Sequence, residues 1–82
     1  MGFYEVLEQC GNNAGISMQQ LGVAMGRHKT YVAGAKSRGS VPSVHNAASM
    51  LDICGYGLYA IPKSEAPKDA LQITIDNQGA EK

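Results

Sequence analysis

Eighty-two residues with 44% apolar and 17% charged side chains describe one small packed domain and exclude a disordered chain. A chain this short buries only ~60–65% of the surface it exposes when unfolded, so dimerisation or an efficient helical core is expected. Seven basic and seven acidic residues cancel, so the distribution of charge, not its sum, is the informative quantity.

The two cysteines, Cys10 and Cys54, form no C-x-x-C and no disulfide framework. "MGFYEVLEQC" has no basic n-region and carries Glu5 and Glu8, unlike a signal peptide. No apolar run approaches the ~20 residues of a membrane span. A reducing cytoplasm is therefore expected, with no membrane partner and both cysteines acting as small core side chains. Both fall on apolar helix faces, which is compatible with their contact; a redox pair is the minor alternative.

Phe3, Val6, Leu7 and Cys10 follow the i, i+3, i+4, i+7 rule and predict a helix over residues 2–12, stopped by "GNNAG". Ser17 begins a second helix, and Gln20 completes a capping box with it. Ile16, just before the cap, is placed to staple onto Leu21. Gly26 ends this helix, and a third follows from His28 to Ser37, burying Val32 and Ala35. Two short helices around a glycine turn outline a helix-turn-helix. "RGSVPS" is a loop, and Ser43 caps a fourth helix with Val44, Ala47, Ala48, Leu51 and Cys54 on its inner face.

After "GYG" the apolar period changes to two. Leu71, Ile73 and Ile75 alternate with polar residues as in a half-buried strand, and "GLYAIP" (57–62) is its candidate partner, with Pro62 at the strand end. "KSEAPKDA" joins the two, and residues 77–82 read as a frayed tail. A lone hairpin is marginal in water. This one either covers its own helical core or pairs with its copy across a two-fold axis, through Leu58, Ala60, Leu71, Ile73 and Ile75. The dimer is the favoured reading, with residues 1–55 as the helical domain and 56–76 as its dimerisation hairpin.

The stretch "MGRHKTYVAGAKSRG" gathers Arg27, Lys29, Lys36 and Arg38, four of the seven cations, and no acid lies between Glu8 and Asp52. Such segregation suits a polyanion, since each neutralised phosphate releases condensed counterions; on charge alone, a merely solvated face is an equal alternative. Glu5, Glu8, Asp52, Glu65, Asp69, Asp76 and Glu81 are expected on the far side.

"AGISMQQLGVAMGRHKTYVAGAKSRGSVPSVHNAASMLDICG" resembles the Cro/lambda-repressor (XRE-type) helix-turn-helix family. The likeness lies in the opening Gly15–Ile16–Ser17, Leu21 in the first motif helix, Gly26 in the turn and Val32 at the buried position of the second. Gly39, Pro42 and Ser43 match in the loop. It covers about residues 3 to 55. "LDICGYGLYAIPK" is also similar to the helix-to-strand exit of HipB-type antitoxins. The resemblance implies a mainly α, lambda-repressor-like bundle of four to five short helices followed by a C-terminal β-hairpin. It implies double-stranded DNA as partner and no cofactor.

The family's docking geometry lays the third helix in the major groove. It assigns base contact to Lys29, Thr30 and Gly34, and backbone contact to Ser17, Arg27, His28, Tyr31, Lys36, Ser37, Arg38 and Ser40. Tyr31 has an equal alternative, a half-buried ring bracing the first helix. Two positions depart from the pattern. Met18 stands where the family usually has Gln, and Gly34 where a polar base reader is common. Direct readout is then thin, and DNA shape or paired half-sites would carry specificity.

Catalysis is not expected. His28 and His45 have no metal-ligand spacing with either cysteine, no Cys–His contact is supported locally, and "GNNAG" lacks the lysine of a phosphate loop. The leading function is a homodimeric, sequence-specific transcriptional repressor of bacterial or phage type. The alternatives are the antitoxin of a toxin–antitoxin pair, and an interaction module that has kept the fold but lost DNA.

Overall fold

The computed structural model of the chain describes residues 2–73. Its four α-helices are α1 (Phe3–Ala14), α2 (Met18–Ala24), α3 (Tyr31–Ser37) and α4 (Val44–Ile53), followed by a single 3-10 turn at Lys63–Glu65. The helix starts follow local signals. Ser17 Oγ accepts from the Gln20 N–H at 3.1 Å while the Ser17 N–H donates to Gln20 Oε1 at 2.8 Å. Ser43 Oγ accepts from the Asn46 N–H at 3.1 Å. At α1 the Glu5 carboxylate accepts from the Gly2 N–H.

Helix ends share one solution. Gly26 adopts a φ of 76°, and the next amide, Arg27 N–H, closes back on the Gly22 carbonyl at 3.0 Å. That is a left-handed glycine cap, which a side chain would strain. The same closure ends α1, where the Ile16 N–H donates to the Gly11 carbonyl at 2.8 Å. The helix therefore runs past Asn12 to Ala14, further than expected. Gly11 is a packing glycine, not a stop: a Cβ there would lie 2.8 Å from the Ile16 carbonyl oxygen.

One buried cluster joins the helices: Val6, Leu7 and Cys10 of α1, Leu21 of α2, Val32 of α3, and Met50, Leu51 and Cys54 at α4 and its cap. The inner face of α4 is turned from the expected one. Val44 is 76% exposed, and Met50 replaces it inside. The rows 44/47/48/51 and 47/50/51/54 both have helical spacing; the core meets the second.

Three further expectations are corrected. The third helix starts at Tyr31, not His28, because His28 Nδ1 accepts from the Thr30 N–H at 3.2 Å and holds residues 28–30 as a turn. Second, residues 57–62 form no strand, and no strand occurs among the described residues. A strand without a partner leaves its ladder groups unpaired, and Pro62 instead opens the 3-10 turn, its carbonyl accepting from the Glu65 N–H. Third, Leu71 and Ile73 pack half-buried against the helical core while Gln72 is exposed. Leu71 and Ile73 cover this chain's own core, so these two are not free for a dimer face. Ile75 and the tail at 77–82 lie outside the described residues.

The α2–α3 elbow is clamped at Gly22. A Cβ there would meet the His28 carbonyl oxygen at 2.8 Å and Tyr31 Cβ at 3.6 Å. Gly22→Ala is expected to cost about 1–3 kcal/mol through this overpacking. At Gly34 the obstacle is only the tip of Arg38, with Nη1 at 3.1 Å, so Gly34→Ala is expected to stabilise by up to about 1 kcal/mol through helix propensity. Thermal melts of the two variants check the contrast; equal melting temperatures would contradict the clamp.

Candidate nucleic-acid interface

The elbow sets the side chains on and around α3. Val32 and Ala35 point into the core. By helical spacing the opposite face carries Ala33 and Ser37, both exposed, beside half-buried Gly34, with exposed Thr30 at the N-cap. This outer face is small and uncharged.

The cations surround it. Tyr31, Gly34 and Arg38 follow i, i+3, i+7 and lie along one row. The Arg38 guanidinium folds over Gly34, and the Arg27 guanidinium lies 5.3 Å from the centroid of the Tyr31 ring, a cation–π contact. Tyr31 itself is half-buried against the core. Burial pushes the nearby Tyr4 phenol above its ordinary range; Tyr31 adds to this and Arg38 opposes it. Two arginines and two tyrosines thus form one neighbourhood, with both guanidinium groups at the surface.

Lys29 is exposed in the turn ahead of α3. His28 and Thr30 engage each other, with Nδ1 2.9 Å from the Thr30 hydroxyl oxygen. Since Nδ1 also accepts from the Thr30 amide, the neutral ring carries its proton on Nε2. The Thr30 hydroxyl is thereby held toward its own turn. Ser17 is exposed, but its N–H and hydroxyl oxygen are both taken by Gln20, so its backbone amide is not spare for a phosphate. Ser40 is exposed past the end of α3.

Lys36 departs from the expected layout. Its Nζ donates to Glu8 Oε2 at 2.8 Å, with side chains 48% and 40% exposed. Glu8 therefore does not sit on the far side; α1 folds it onto α3. The two line a groove of 380 Å³ with Tyr4, Met18, Val32, Ala33 and Ser37. This is the only ion pair among the described residues. Arg27, Lys29 and Arg38 have no acidic partner there.

No sequence pattern signals the Glu8–Lys36 pair, whose members are 28 positions apart and share no helix. The Gly22 clamp had a faint signal, a glycine inside a short helix where it lowers stability. Met18 is half-buried and packs with Gly11 near the start of α2, so it fills space where the resembled family would set a polar brace.

Cys10 and Cys54 are free and buried in one cluster. Burial pushes both thiols up, and Cys10 pushes Cys54 further. Among the described residues no group of three or more His, Cys, Asp or Glu could hold a metal ion, and no helix is long and apolar enough to cross a membrane.

No protein-family model, no curated protein and no solved structure matches the chain.

Both thiols should stay protonated near neutral pH and react slowly with an aromatic disulfide reagent in the folded protein, then rapidly once it is unfolded. Fast reaction of either in the native state would contradict their place in the core.

Proposed function

We propose that the chain is a sequence-specific DNA-binding regulator of the helix-turn-helix type, a repressor acting as a homodimer, with α3 as its recognition helix. The observation that carries this reading is the outer face of α3: small, uncharged side chains at Thr30, Ala33, Gly34 and Ser37, bordered by exposed cations without acidic partners. Small side chains allow the helix backbone close to the groove floor, and the flanking cations suit the phosphates on either side. The resemblance to the Cro/lambda-repressor family supports the same docking.

In this reading Lys29 faces base edges, Thr30 offers them its methyl group while His28 holds its hydroxyl, and Gly34 permits close approach once the Arg38 guanidinium leaves it for a phosphate. Arg27, His28, Tyr31, Ser37, Arg38 and Ser40 contact the backbone and fix register. Dimerisation would use the segment after α4, where Leu58 is 42%, Tyr59 83% and Ile61 50% exposed, together with Ala60. A two-fold pair would set two α3 helices about 34 Å apart, on successive major grooves.

These exposed apolar side chains also favour a second reading, in which the segment binds another protein, as the antitoxin alternative requires. Light scattering of the purified chain separates the two: a dimer supports the first reading, and a monomer leaves the segment for a different partner.

The test is the salt dependence of DNA binding. Arg27, Lys36 and Arg38 would give about six phosphate contacts per dimer and a slope of log K against log[salt] of about −5.4. With Lys36 offset by Glu8, the effective number is about four and the expected slope is about −3.6. A slope near zero would remove the electrostatic account. Lys29→Ala should relax base preference at one position, at about 1–3 kcal/mol, whereas Arg38→Ala should weaken all sequences alike. Equal, sequence-blind losses would mean that a different element faces the groove.

A further inference from the structure

We propose that Glu8 is a built-in competitor of phosphate: it holds Lys36 in the free protein, and DNA engages Lys36 only by displacing it. The proposal rests on the DNA-binding reading above. Three observations carry it. The pair is short, 2.8 Å, and about half exposed on both sides, so it is formed yet open to exchange; exposed pairs of this kind are weak enough to be broken by a stronger anion. Lys36 lies on α3 itself, one residue before Ser37 on the outer face. Glu8 comes from α1 and is the one acid that lines this groove beside Lys36, so the carboxylate and a phosphate would compete for the same ammonium group.

A carboxylate that occupies one cation per subunit, and repels the phosphate that would replace it, lowers affinity for every sequence alike, because the contact it opposes is to phosphate and not to a base. Glu8 then sets the overall affinity for DNA and its dependence on salt. Its release on binding also recruits a counterion, which offsets the one that the phosphate gives up, so the salt slope of the native protein is shallower than its cation count suggests.

The experiment measures binding of a random-sequence duplex to the full chain over a range of salt, for the wild type, Glu8→Gln, Glu8→Lys and Lys36→Gln, with thermal melts of each. Glu8→Gln should tighten binding by roughly three- to tenfold at low salt and steepen the slope from about −3.6 to about −5.4, because no released carboxylate then takes up a counterion. Glu8→Lys should tighten it further. In the Lys36→Gln background, Glu8→Gln should leave the slope unchanged. If the pair only fastens α1 to α3, Glu8→Gln and Lys36→Gln will lower the melting temperature alike, and Glu8→Gln will leave affinity and slope as they were; that result overturns the proposal while the DNA reading stands. A wild type with no salt-dependent binding at all overturns both.

Discussion

The geometry of this protein turns on a missing side chain. Gly22 lets the backbone of His28 and Lys29 pass against α2, with the His28 carbonyl oxygen only 2.8 Å from where a Cβ would stand. Gly26 then reverses the chain in a left-handed cap within four residues, and Leu21 and Val32 meet in the core on the inner side of the elbow. Because the two seven-residue helices are too short to be stable alone, their angle is set by this contact and by the shared core. Every exposed residue from Arg27 to Ser40 takes its direction from that angle.

Charge is arranged on top of this frame, and the arrangement is less simple than a belt free of acid. In the sequence, four cations stand apart from every carboxylate; in space, one of them is met by Glu8 from α1. The others are treated differently. Arg27 lies over the Tyr31 ring and Arg38 over Gly34, so both guanidinium groups are steadied by uncharged surfaces that leave their donors open. A neutral protein can thus carry a locally positive face, with the pairing of Lys36 setting how positive it is.

The parts legible in the sequence are those with local causes. Ser17 with Gln20, and Ser43, announce their helix starts because a cap is a contact within three residues. The core of α1 and the inner positions of α3 follow from a period that one helix face imposes. Where two readings have equal spacing, the sequence alone does not choose: Val44 and Met50 compete for the inner row of α4, and only the position of the other helices decides. Leu71 and Ile73 show the period of a strand while packing on the helices, since alternation reports which side is buried and not what lies beside the chain. Residues 57–62 carry strand-forming side chains but no partner within the described chain. At the candidate interface, Lys29, Thr30 and Arg38 are exposed, as polar residues of short surface turns and helices commonly are. The hold of His28 on Thr30, the seat of Arg38 on Gly34 and the reach of Glu8 to Lys36 depend on side-chain geometry or on two helices meeting, and pattern alone carries neither.

If the outer face of α3, held by the Gly22 elbow, reads duplex DNA in pairs, selection of bound sites from random duplex DNA will enrich a two-fold symmetric site whose half-sites are centred about one helical turn apart, and Gly22→Val will abolish that enrichment. Recovery of unenriched sequence by the folded wild-type protein would show that this face does not read DNA.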